Sequence, residues 1–142
     1  MKVTGEVEFK HVVERSRFFA VLFGAAGEAE VDAMLRLKRG QHRKANHHCW
    51  ALRCRAEGGV LVERSKDDGE VGHPGRVLLE LLRHHDLEGA ILVSRVFGGV
   101  KLGVGGVSRA FREAGNDAIA AFLANTRSGF PRIPDPGSRT PR

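Results

Sequence analysis

Five glycines, Gly98, Gly99, Gly103, Gly105 and Gly106, fall within nine residues, with Arg95, Lys101 and Arg109 spaced beside and among them. Glycine at this density permits positive φ angles and lets another group approach the backbone closely. Fixed cations near exposed amides at a helix N-terminus describe an anion site. The familiar phosphate loops are not matched. Lys101 lies between Val100 and Leu102, which breaks G-x-x-x-x-G-K-[ST], and Ser108 occupies the sixth position of a G-x-G-x-x-G begun at Gly103. Gly106-Val-Ser-Arg-Ala110 has the letters of a nucleophile elbow, but Ser108 falls inside a helical pattern rather than on a strand-to-helix turn. The competing reading is a tightly packed structural loop with solvated basic side chains.

A second chemistry is available to Asp67, Asp68 and Glu70, three carboxylates in one turn. Such a cluster can bind Mg²⁺ or act as general acid and base. It can equally close a turn or pair with arginines. With His47 these residues would suit a hydrolase of a phosphorylated or nucleotide substrate, and that alternative requires a concave pocket uniting the carboxylates with Lys101. His47, His48, Cys49, Cys54 and His73 match none of the usual zinc-ligand spacings. No metal and no other cofactor is expected.

The elements that must position these residues are legible from periodicity. Gly89 to Val93 is a short apolar run, as in a buried strand. Val107, Ala110, Phe111, Ala114, Ala118, Ile119 and Phe122 recur at helical spacing, ending near Leu123. The glycines therefore bridge a buried strand and a long amphipathic helix. Upstream, Gly5 to Val13 alternates, with Val7, Phe9 and His11 on one face, and Arg17 to Phe23 resumes as a second strand of a hairpin. A helix is predicted from Glu28 to about Arg39, with Val31, Met34 and Leu35 as its apolar stripe and Gly40 as its cap. Two more strands follow, the second from Val60 to Glu63, joined at Gly58-Gly59. A helix over 76–85 then buries Val77, Leu78, Leu81 and Leu82. The order is ββαββαβα, a single α+β domain over residues 1–124. Residues 125–142 hold four of the five prolines and four arginines against one acid, Asp135, and are expected to form a disordered basic tail.

The 142 residues suffice for one core, and a net charge of +6 favours anionic partners such as nucleic acid. Arg36, Lys38, Arg39, Arg43 and Lys44 cluster near the end of the first helix. There is no tyrosine, so Phe97 and Trp50 are the candidate stacking residues. No apolar run approaches the ~20 residues that span a bilayer, and no signal-peptide pattern opens the chain. The expected compartment is the cytosol. Cys49 and Cys54, five apart in a strand, face opposite ways and are expected as buried free thiols.

Ser16-Arg17-Phe18, Ala45-Asn-His47-His-Cys49-Trp-Ala51, Asp67-Asp-Gly-Glu70 and Arg95-Val-Phe-Gly-Gly-Val-Lys-Leu-Gly-Val-Gly-Gly-Val-Ser-Arg-Ala110 resemble, in order, the motifs of the IMPACT/YigZ family. The resemblance runs from about Ser16 to Phe122. It implies a fold similar to the second domain of ribosomal protein S five and domain IV of elongation factor G, with a mixed four-stranded sheet, two main helices on one face and a left-handed βαβ crossover. Asn46, His48 and Trp50 depart from the family pattern, and Val71-Gly-His-Pro-Gly75 is one residue short. Val96, Val104 and Phe111 stand where tyrosine, threonine and tyrosine are common, so three hydroxyls are missing. Relatives add a ferredoxin-like or an RWD domain, and neither is expected within these 142 residues.

Eukaryotic members of the family regulate translation by competing for the activator of the amino-acid-starvation kinase, and bacterial members are suspected of binding RNA or ribosomes. The resemblance thus implies a non-enzymatic, cytosolic binding protein engaging RNA, the ribosome or a translation-regulatory protein. Its candidate contacts are Arg95, Lys101 and Arg109 with Gly98, Gly99, Gly103, Gly105 and Gly106; the hydrolase reading rests on His47, Asp67, Asp68 and Glu70.

Overall fold

The alternation in the first 23 residues folds as read. Strands β1 (Glu6–Val13) and β2 (Ser16–Phe23) pair antiparallel. Glu14 and Arg15 turn the chain at φ +48° and +65°, the sense of twist that a two-residue hairpin loop requires. The computed structural model describes residues 1–127. After the hairpin come α1 (Glu28–Gln41), β3 (His47–Arg55), β4 (Leu61–Lys66), α2 (Pro74–His84), β5 (Gly89–Val96) and α3 (Gly103–Arg127). The expected ββαββαβα order is observed.

All five strands join one sheet in the order β1-β2-β5-β3-β4. That is one strand more than the fold resemblance implied. Each neighbouring pair is antiparallel, where a mixed sheet was expected. The connections explain this: β2–α1–β3 and β4–α2–β5 each step over one strand, so strands running the same way never become neighbours.

The sheet separates two apolar clusters by the period of two along each strand. Ala20, Leu22, Cys49, Ala51, Ile91 and Val93 face α2 and α3, which contribute Leu78, Leu82, Ala110, Phe111, Ala114 and Ile119. Two helices on one face is therefore the observed layering. Val21, Phe23, Trp50, Leu52 and Leu92 face the other way, where α1 adds Val31 and Met34. Cys49 belongs to one cluster and Cys54 to the other, both buried and free, as their spacing predicts. Every residue of β5 is buried, because sheet covers both its edges and helices both its faces.

Several boundaries move. α1 runs through Gly40 and ends at His42, whose amide donates to Lys38 O at 2.8 Å. Lys38 is buried, not part of a solvated basic cluster; its Nζ donates to Glu8 at 2.8 Å and to Gln41 at 2.9 Å, tying the last turn to β1. β4 extends to Lys66, past the expected end at Glu63. α3 begins at Gly103, so Gly103, Gly105 and Gly106 lie in its first turn and the true loop is 97–102. The helix continues to Arg127, past the boundary expected at residue 124; the rest of the expected tail lies outside the described residues.

Candidate functional site

Five chain segments meet at one end of the sheet: the β1–β2 turn, the 42–46 connection, the 67–73 turn, the 97–102 loop and the first turn of α3. Strand register begins the assembly, because Arg95 of β5 lies between Phe18 of β2 and His47 of β3. The Asp-Asp-Gly-Glu turn then folds back onto the start of β3. Nδ1 of His47 donates to Asp68 O at 2.9 Å, and the His48 amide donates to Asp68 Oδ2 at 2.8 Å. Glu70 swings inward, accepting from Arg95 at 2.9 Å, with Nε2 of His47 3.7 Å from the same oxygen. The His47, Asp68, Glu70 and Arg95 motifs, distant in sequence, thus converge.

Convergence also engages each carboxylate. Asp67 Oδ1 accepts the Gly75 amide at 2.8 Å in the first turn of α2, where amides lack intrahelical partners. Asp68 holds the backbone of β3. Glu70 is nearly sealed from solvent, bound to Arg95 and to the Val71 amide at 3.0 Å. Cys49 Sγ donates to Asp67 O at 3.1 Å; burial, reinforced by Glu70, Asp68 and Asp67, pushes its thiol far above the ordinary range, which removes it as a nucleophile. His48 sits 2.7 Å from Ser94 Oγ, and burial holds its pKa down despite the opposing pull of Asp68.

Arg95 is likewise committed. It is buried against Glu70, and its guanidinium lies 5.5 Å from the Phe18 ring centroid and 5.7 Å from that of Phe97. It sits beneath the surface, where it joins β5 to the 67–73 turn. Lys101 and Arg109 are different: both are exposed, and neither meets an acid among the described residues.

The 97–102 loop is pinned from below. The Phe97 amide donates to Asn46 Oδ1 at 3.0 Å and the Gly98 amide to Ser16 Oγ at 3.1 Å. A Cβ on Gly98 would collide with the backbone of Arg15 and Ser16, so this position must be glycine for the loop to lie on the hairpin turn. On the far side, Ser108 Oγ donates to Gly72 O at 2.7 Å, and Gly72 sits at φ +82° with no room for a side chain against Ser108. Ser108 therefore docks the 67–73 turn onto α3. Ser16 and Asn46 were visible in the sequence as parts of motifs, but their roles follow from which strands become neighbours.

A cavity of about 180 Å³ opens between Asn46, His47, Arg95 and Phe97. It contains neither Lys101 nor Asp67 and Asp68, and it falls below the ~300 Å³ at which small-molecule pockets begin. This cavity does not unite the carboxylates with Lys101. Exposed Arg15, Arg43 and Lys44 ring the same end of the sheet, the first beside Gly98 and the others beside the Asn46–Arg95 backbone bond of 2.8 Å.

Residues 14–119 match the family described as Impact N-terminal domain. A Thermus thermophilus protein described as an IMPACT family member in the pol 5′ region is 39% identical over 109 residues, covering 76% of this chain and 57% of that protein. The Bacillus subtilis IMPACT family member YvyE is 33% identical over 121 residues, covering 84% of this chain and 54% of that protein. A crystal structure described as that of a hypothetical protein superposes with a TM-score of 0.76 at 29% identity, over 83% of this chain and 58% of the other. The chain thus spans somewhat over half the length of these relatives.

Proposed function

The chain belongs to the Impact N-terminal domain family, and from that premise we propose that it is a non-enzymatic binding protein of the translation apparatus whose ligand is RNA, free or within the ribosome. One observation carries this reading: at the end of the sheet where the family's motifs meet, each acid is engaged within the fold while several exposed cations are not. Asp67 and Asp68 each commit one oxygen to a backbone amide, Asp67 Oδ2 lies 3.7 Å from His73, and Glu70 binds Arg95 and the Val71 amide. Lys101 and Arg109, with Arg15, Arg43 and Lys44, stay exposed and without acidic partners among the described residues. A net charge of +6 adds long-range attraction for a polyanion. The amides of the first turn of α3 add partial positive charge beside Lys101.

A protein partner in translation regulation is the second reading. It is favoured by Val71, Phe97 and Val104, which are large apolar residues exposed around the same loop. No helix among the described residues is long and apolar enough to cross a membrane.

The deciding measurement is fluorescence anisotropy with a labelled RNA oligonucleotide at about 50 and 200 mM salt, where neutralised phosphates cost affinity steeply. Lys101→Ala/Arg109→Ala should weaken binding and lower the salt slope by about 2, one for each phosphate that the two cations neutralise. Affinity indifferent to salt, or no RNA binding, would overturn the reading in favour of a protein partner.

A further inference from the structure

α1 covers only part of its face of the sheet. Beyond its last turn, β1 and β2 carry Lys10 opposite Phe19 and Val12 opposite Arg17. Here the Phe19 ring lies against the imidazole of His42, centroids 4.1 Å apart and planes 16° from parallel. Both residues are half-buried. Lys10 Nζ and the Arg17 guanidinium stand 5.8 and 6.0 Å from the Phe19 centroid. Val12 is 53% exposed beside them, and Arg43 follows His42 in solvent.

A core does not need this arrangement. Phe19 contributes to neither apolar cluster, and the cations around it make no ion pair among the described residues. What the combination fits is a base: a flat apolar surface takes the ring face, and flanking cations take the phosphates on either side. A duplex hides its base faces in the stack, so it can use the charges but not the rings. The His42 pKa is held down by burial and by neighbouring Lys38, His48 and Arg17, against the pull of Glu8, which favours a neutral ring in the stack.

We propose that the stacked Phe19–His42 pair, with Lys10 and Arg17 beside it, is a base-stacking platform for single-stranded RNA. This rests on the RNA reading above and places part of the binding surface on the sheet face, away from the glycine loop.

The test uses the full chain and a labelled oligouridylate of about 12 nucleotides, within the usual span of a single-strand site, alongside a duplex RNA of equal length. Phe19→Leu removes the ring but keeps apolar bulk, Phe19→Trp restores a ring, and His42→Ala removes the second ring. Each is checked for native thermal unfolding. Phe19→Leu is expected to weaken single-strand binding about 10-fold at fixed salt, as removal of one stacked base does, with an unchanged salt slope and unchanged duplex affinity. His42→Ala should act in the same direction, and Phe19→Trp should bind like the native chain or tighter. Native affinity in both Phe19→Leu and His42→Ala, while Lys101→Ala/Arg109→Ala loses binding, would overturn the platform and leave the loop reading intact. Equal losses for single strand and duplex would also overturn it. No binding of either RNA by the native chain would overturn both.

Discussion

Arg95 donates to Glu70 at 2.9 Å across the floor of the site, and both side chains are under one-tenth exposed. The pair joins the central strand to the turn that follows β4, so it fixes the relation between two of the family's motifs. Removing one partner leaves the other charged and dry. Glu70→Ala should therefore destabilise the fold by about 3 kcal/mol, while Glu70→Leu/Arg95→Met should recover much of that loss. Urea unfolding followed by circular dichroism measures both. Near-native stability in Glu70→Ala would mean that the turn is held by other interactions.

Asp67 has a structural task. Its carboxylate accepts the Gly75 amide in the first turn of α2, beside His73 at φ +51° and Pro74. Asp67→Ala should cost about 1 kcal/mol, the usual effect of removing such a cap. RNA affinity should not change. Weaker binding with unchanged stability would return Asp67 to the functional site.

Stability should fall on mild acidification. His42 and His48 take up protons less readily in the fold than in the unfolded chain, chiefly through burial. Their contribution is complete above the ordinary histidine value of about 6.5 and is lost as pH falls through their lower folded values. Around them, Asp68 opposes the shift at His48 and Glu8 opposes it at His42, while Arg39 and Arg17 reinforce it. Urea midpoints compared at about pH 7.5 and 5.5 should decrease, less steeply in His42→Gln. A midpoint that rises on acidification would contradict these environments.

Neither thiol should react in the native state. Cys49 and Cys54 are buried on opposite faces, and burial raises both pKa values. A chromogenic disulfide reagent should label two thiols per chain in denaturant and neither without it. Fast labelling of Cys49 in the native chain would show that the 67–73 turn opens readily.

The element order was legible because hydrophobic period depends on local sequence. Val7 and Phe9 alternate with Glu6 and Glu8, and Val77, Leu78, Leu81 and Leu82 mark a helix whatever surrounds them. The site was legible only as fragments. That Arg95 would be buried depends on β5 entering between β2 and β3, and on Glu70 arriving from a turn 25 residues earlier. Lys38 reads as one more surface cation until Glu8 of β1 is found beneath it. Phe19 and His42 are separated by a whole helix, and their stacking has no signature along the chain. The glycines illustrate the same divide: their density was plain, but Gly105 and Gly106 proved helical, Gly103 opens the helix at φ +74°, and Gly98 proved a point of close approach.

The central position of β5 bears on how the chain acquires its fold. Until residues 89–96 exist, the sheet can be only two separate hairpins, β1–β2 and β3–β4, whose inner edges lack the strand that joins them. Pairings between β2 and β5 span more than 65 residues, so most of the loop entropy is lost before the sheet closes. During synthesis the unpaired edges of β2 and β3 stay open to other chains while translation proceeds toward Val96. β5 closes both edges and carries Arg95 and the glycine loop into place, so the site cannot be complete until the sheet is.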